Sequence, residues 1–217
     1  RTRRIDREGG ERASFAMALT IYGSPRSRTM RTLWAAAELG LTYEHVPLVW
    51  DDPWLKSPQF LALNPAGSIP TIVDDGAALS ESMAINLYLA KMYGSAGAHP
   101  LYPSEGEAQV WRWSLWAQGH LEPWLQQDGR LAAVRAAAGR EIDALVQASL
   151  STLDRALAGR GWLAADHFTI ADLNVAGVLS PSRAMTFGLA EHGAVEAWLA
   201  RCYERPAARA TRERFAT

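Results

Sequence analysis

The sequence predicts an α/β N-terminal domain of four mixed strands with helices, followed by an all-α C-terminal domain. Three observations support this. The short strand-like runs (Leu19–Tyr22, Thr42–Val49, Thr71–Val73 and Ala77–Leu79) all fall before Tyr93. The stretch 94–103, GSAGAHPLYP, is dense in turn formers. Beyond it the chain is alanine-rich and periodic as helices are, with no convincing strand.

Leu19-Thr20-Ile21-Tyr22 alternates and stops at Gly23, and Ser24-Pro25-Arg26 turns the chain. Ser27 then precedes a helix marked by Met30, Leu33, Trp34, Ala37 and Leu41, ending near Gly40. Thr42 to Val49 contains Pro47, which confines it to a sheet edge. Pro70 follows Ile69 at the entrance of Thr71–Val73, where its missing N–H leaves neighbouring backbone groups free for another partner. Asp74-Asp75-Gly76 is a hairpin turn into Ala77–Leu79. Ser80-Glu81-Ser82 opens an amphipathic helix carrying Met83, Ile85, Leu87 and Leu89; Ser and Glu there cap free N–H groups, and such a helix start attracts an anion. The order is β-α-β-α-β-β-α. It places a first domain at 17–93, a linker at 94–103 and a helical domain at 104–217; residues 1–16, charged and aperiodic, are set aside as a disordered or artefactual extension.

In the helical part, Ser104-x-x-Glu107 has the spacing of a capping box and starts a long helix with Val110, Trp111, Trp113, Trp116 and Leu121, which Pro123 ends or kinks. A second helix is expected from Ala132 to Ala158. Phe168-Thr169-Ile170-Ala171-Asp172-Leu173 is another capping box, with Phe168 as a staple, ahead of an almost wholly apolar helix to Leu179. Pro181 closes that helix, and Ala194 to Glu204 makes the last one.

Charge and composition exclude several functions. With 22 basic and 23 acidic side chains, nothing electrostatic calls for nucleic acid or an anionic membrane. No apolar run approaches the roughly 18 residues that span a bilayer. The single cysteine, Cys202, rules out an internal disulfide, a Cys-x-x-Cys pair and a thiolate zinc site, and it fits a reducing, cytoplasmic compartment. The five histidines lack ligand spacing, so no metal is expected. There is no Gly-x-Ser-x-Gly, phosphate loop or dinucleotide fingerprint.

The combination of Asn64-Pro65, Gly67-Ser68, Ile69-Pro70 and Glu81-Ser82, then Ala84-Ile85 and Tyr88-Leu89, resembles the cytosolic glutathione transferases. The likeness is to their serine-type, bacterial, theta- or phi-like members, and it covers Leu19 to about Arg205. It implies a thioredoxin-like N-terminal domain, transfer of glutathione to small hydrophobic electrophiles, glutathione as co-substrate without a permanent cofactor, and a homodimer. The threonine-to-aspartate box at Thr169 and Asp172 belongs to folding in that family.

Glutathione chemistry needs a thiolate near neutral pH. Lowering a thiol from about 8.5 by about two units requires roughly 2.7 kcal/mol of preference for the anion. One hydroxyl donating to sulfur at a helix N-terminus supplies most of it. Ser27 has both features; alone it reads as a helix cap, and the resemblance makes it the catalytic hydroxyl, followed by Arg31 in the first turn. Ser24 is the alternative. By the same resemblance the backbone of Ile69, beside a cis Pro70, pairs with the cysteinyl part of glutathione, Glu81 and Ser82 hold its γ-glutamyl end, and Lys56 takes the glycine carboxylate or is an ordinary exposed lysine. Two positions depart from the pattern. Leu55 replaces a frequent histidine, and Ser68, counted with the binding residues, replaces a frequent Lys or Gln, so each loses a possible contact. Pro25, Arg26, Trp113, Trp116 and His120 are candidates for the electrophile pocket, although tryptophans so placed are more often core. The same architecture also serves non-catalytic binding proteins and glutathione-dependent isomerases, dehalogenases and peroxidases; disulfide reduction is disfavoured because Ser, not Cys, holds the catalytic position.

Overall fold

The computed structural model describes residues 19–125 and 137–215; the extension at 1–16 and the first part of the helix expected from Ala132 lie outside them. The strand β1 (Leu19–Tyr22) lies inside a four-stranded sheet of order β2-β1-β3-β4. It runs parallel to β2 (Tyr43–Val46) and antiparallel to β3 (Thr71–Asp74), which pairs in turn with β4 (Ala77–Ser80). A parallel pair needs a crossover, and α1 (Thr29–Glu38) provides it. The paired Ile21 and Ile72 are fully buried with Leu33 and Ala36 of α1 and Ile85 and Leu89 of α3 (Ser82–Tyr93). Asp75 and Gly76 have φ of 48° and 83°, the left-handed pair that a two-residue hairpin requires. The short α2 (Pro58–Leu63), capped by Ser57, buries Phe60 against the rings of Tyr22 and Trp54.

The helical part comprises α4 (Glu107–Trp116), a wide π-type turn at Ala117–Leu121, α5 (Glu122–Leu125), α6 (Gly139–Leu157), α7 (Ile170–Leu179), α8 (Pro181–Phe187), α9 (Gly193–Glu204) and α10 (Pro206–Arg214). The helix α7 is apolar on all sides and is accordingly enclosed by its neighbours. Asp172 anchors it. One carboxylate oxygen accepts from the Thr169 N–H (2.9 Å) and hydroxyl (3.0 Å), and the other from the Leu163 N–H and the Trp198 indole (2.9 Å each). Thr169→Ala is therefore expected to lower stability by about 0.5–2 kcal/mol in a denaturant titration while activity is kept; normal stability with lost activity would overturn this structural role. Among the described residues no helix is long and apolar enough to cross a membrane.

Several local expectations are corrected. Ser104 caps nothing: α4 starts at Glu107 behind Gly106, whose φ is 103° and whose Cβ would lie 2.8 Å from the Ala164 carbonyl oxygen. The Glu107 carboxylate instead accepts from the Tyr102 hydroxyl (2.6 Å) and Lys91 (2.9 Å). Glu81 makes no side-chain cap on α3. The interruption attributed to Pro123 comes earlier, at Ala117–Leu121, because a proline in α5 withholds the N–H that would bond one turn back. Pro181 opens α8 rather than only closing α7, and Pro206 opens α10, which the sequence reading did not foresee.

Candidate active site

The end of β1 meets the β3 entrance at Gly23. A Cβ there would lie 2.1 Å from Thr29 Oγ1 and 3.0 Å from Ile69 Cβ, and φ is 135°, so only glycine lets the two loops approach. The following turn is closed by the Ser27 N–H donating to the Ser24 carbonyl (3.0 Å). Ser27 Oγ donates to the same carbonyl (2.7 Å), accepts from the Thr29 N–H (3.2 Å) and lies 2.8 Å from Thr29 Oγ1. Ser24 Oγ accepts from the Arg26 N–H (3.2 Å) and faces the turn. Ser27 lines a cavity and Ser24 does not. With Arg28 and Arg31 beside it and the positive end of α1 below, Ser27 stands where an anion is favoured.

The second loop is built on Asn64, buried, whose amide donates to the Ser68 carbonyl (2.9 Å), Ser68 Oγ (3.2 Å) and Thr71 Oγ1 (3.0 Å). Ser68 is thereby turned toward Asn64. The Ile69-Pro70 peptide is cis, and the Ile69 N–H and C=O have no partner among the described residues. Lys56 Nζ donates to the Gly67 carbonyl (3.3 Å). Glu81 is exposed with φ 71°, an unusual backbone for a non-glycine residue and one that gathers at ligand sites, and Ser82 is buried at the first position of α3.

The cavity, about 960 Å³, lies between the two domains. It brings together Pro25, Arg26, Ser27 and Ile69; Lys56, Ser68, Pro70, Glu81 and Ser82 are not part of its wall. Trp113, Trp116 and His120 are not part of it either, which corrects the expected pocket. Trp113 is buried in the helical core, with Trp116 edge-on at 5.3 Å and Arg112 over its ring at 4.4 Å. His120 is exposed on the π-type turn, its carbonyl accepting from Ser149. The wall is completed instead by Trp34, Trp50, Tyr203, Arg183 and Arg212, which sequence reasoning missed. The prolines at the starts of α8 and α10 were the only signal that further helices reach this place.

Below the cavity Arg31, buried, grips Glu122 through both terminal nitrogens (2.8 and 3.1 Å) and donates through Nε to the Gly177 carbonyl (3.3 Å). Gly177 leaves room for the arginine stem, since a Cβ would lie 2.9 Å from Arg31 Cγ. Arg28 adds a 2.6 Å bond to the same carboxylate. Burial alone would raise the Glu122 pKa, but the charge and hydrogen bonds of Arg31 and then Arg28 outweigh it, and the net shift is downward. Cys202 is fully enclosed, and burial pushes its thiol far above the usual value, which removes it as a nucleophile.

Comparison with known proteins places this arrangement. Residues 25–92 match the glutathione S-transferase N-terminal domain profile and residues 116–206 the C-terminal one. The chain is 34% identical to glutathione S-transferase 3 of Zea mays over 201 residues, 87% of this chain and 90% of that protein. It belongs to the glutathione S-transferase family. An apo structure of glutathione S-transferase III superposes with a TM-score of 0.77 at 31% identity, covering 92% of this chain and 98% of that one. Ure2p in complex with glutathione gives 0.78 at 21% identity, with 90% and 93% covered, a likeness of fold alone. The mixed four-stranded sheet and the helical domain behind it are the glutathione S-transferase architecture. Ser27 and Ile69 lie within the N-terminal match and Arg183 and Tyr203 within the C-terminal one, so the cavity lies between the family's two domains.

Proposed function

We propose that this transferase binds glutathione along the Ile69-Pro70 loop, holds its sulfur as thiolate through Ser27, and conjugates it to small electrophiles with apolar surface. The supporting observation is the cavity that brings the Ser27 hydroxyl and the unpaired Ile69 peptide together at the start of α1. The Ile69 N–H and C=O pair with the cysteinyl residue of glutathione like an added strand. Glu81 and Ser82 take the γ-glutamyl end, and Lys56 the glycine carboxylate. Binding glutathione turns Ser27 Oγ from the Ser24 carbonyl toward sulfur, while Thr29 keeps its hold on the same oxygen. The division at 94–103, a cytoplasmic location and a homodimer belong to the same reading; exposed Met92 on α3 and Trp111 and Leu115 on α4 supply apolar surface for a second copy.

Retention on immobilised glutathione, thiolate absorbance on mixing near neutral pH, and thioether formation with a neutral electrophile test the proposal together. A protein that is not retained and shows no thiolate absorbance rules it out. Retention without thioether formation would leave a binding protein of the same fold.

A further inference from the structure

Among the described residues the wall of the cavity holds five arginines (Arg26, Arg28, Arg31, Arg183 and Arg212) and no carboxylate, in a chain whose overall charge is close to zero. Glu122, just beneath, is already shared by Arg28 and Arg31. Arg183 makes no direct ion pair among the described residues and feels Glu122 only at a distance. Its guanidinium spends one N–H on the Val178 carbonyl (2.6 Å), leaving its other donors available. Arg212 lies over the Tyr203 ring at 5.2 Å and likewise makes no ion pair among the described residues. We propose that the electrophile of this site has an apolar, planar body and carries a carboxylate, and that Arg183 and Arg212 receive it.

The inference rests on the transferase reading and adds the substrate class to it. Arg183 and Arg212 come from α8 and α10 of the helical domain, whereas the residues assigned to glutathione come from the sheet domain; the two sets meet only where Ser27 and Ile69 reach the cavity. The carbonyls of Gly177 and Val178, in the last turn of α7, receive Arg31 and Arg183 respectively, so the negative helix end holds two like charges near each other. That compensation is incomplete: burial, and then the positive charge of Arg31, lower the pKa of Arg183. An incoming carboxylate relieves both effects, and a guanidinium fork matches it in shape. Trp34, Trp50 and Tyr203 offer flat apolar faces to the remainder of the molecule.

Chlorodinitrobenzoate and its methyl ester test this, because they share the reacting ring and differ in charge. In the reaction the thiol proton passes to solvent. The sulfur lone pair then forms the C–S bond, and chloride departs with the C–Cl pair. The wild type is expected to favour the benzoate over the ester in kcat/KM, with that ratio falling tenfold or more in Arg183→Gln, falling further when Arg212→Gln is added, and only partly restored in Arg183→Lys, which keeps the charge without the fork. A ratio that does not move, or a KM for glutathione that rises in step with that for the benzoate, overturns the inference. Should neither compound react, the transferase reading fails separately. Binding is then read from quenching of Trp34 and Trp50 fluorescence: benzoate affinity tenfold weaker in Arg183→Gln upholds the anion site, and equal binding of benzoate and ester dismisses it. Circular dichroism of each variant excludes misfolding, and the single variant Arg212→Gln, in which the benzoate-to-ester ratio should also fall, keeps the test valid if Arg183→Gln does not fold.

Discussion

Ser27→Ala is expected to lower kcat/KM about ten- to hundredfold, the kinetic equivalent of losing one hydrogen bond to an anion, worth about 1.5–3 kcal/mol. The pKa of the bound thiol rises by about one to two units in the same variant. Thermal stability should hardly change, since Ser27 is half-buried and its partners belong to its own turn. The residual rate has a structural source. Thr29 Oγ1, 2.8 Å from the deleted oxygen, becomes the nearest hydroxyl, so adding Thr29→Val should remove most of what remains. Thiolate absorbance titrated against pH separates this from a binding defect. If Ser27→Ala keeps wild-type turnover at about pH 6.5, well below the ordinary thiol pKa, the assignment is wrong, and Ser24 or the free N–H groups of α1 become the better candidates.

Arg31→Met should be the most destabilising single change at the domain junction, by about 3–5 kcal/mol. It takes the two-point grip from the buried Glu122 carboxylate, leaving Arg28, whose side chain is 45% exposed, as its ion-pair partner among the described residues, and it leaves the Gly177 carbonyl without its donor. Arg31→Lys recovers only part, because one ammonium cannot reproduce a two-point grip. Pairing Arg31→Met with Glu122→Leu should recover most of the loss, since the cost lies in the uncompensated charge more than in the missing attraction. The pair also has a pH signature. The folded pKa of Glu122 is depressed, so its contribution is complete above the unfolded value and fades as pH falls through the folded one. Denaturant titrations of the single and double variants across that acidic range check both points. A single variant within about 0.5 kcal/mol of wild type would show that the ion pair contributes little.

How much of this was legible in the sequence depended on how local the determining forces are. The hairpin at Asp75-Gly76 and the box at Thr169 and Asp172 were readable because three or four adjacent residues decide them. Ser104 and Glu107 show the limit: the same spacing occurs, but Gly106 is pressed against the Ala164 carbonyl and Glu107 is drawn to Tyr102 and Lys91, partners invisible to a local pattern. Ser27 and Ile69, which the structure brings to one cavity, were singled out through the family resemblance, whose short motifs lie near strand ends. Arg183, Tyr203 and Arg212 were not, because they lie on three different helices, and the prolines that open α8 and α10 announce a helix but not that it packs over the start of α1. Trp113 was misplaced for the opposite reason, since a tryptophan serves a pocket wall or a core equally well, and only packing decides.

The helix α1 is fastened to the second domain at both ends, by Arg28 and Arg31 on Glu122 at its start and by Glu38 on Arg205 near its finish, where the two bonds are 2.7 and 2.8 Å. It is also the crossover that completes the sheet, so it cannot side with one half of the molecule against the other. A hinge at this seam would tear the Ser27 turn from its floor, which makes the protein poorly suited to working by opening and shutting. Traffic through the crevice must then rely on side chains at its rim, with Trp50, 76% exposed, the foremost of them.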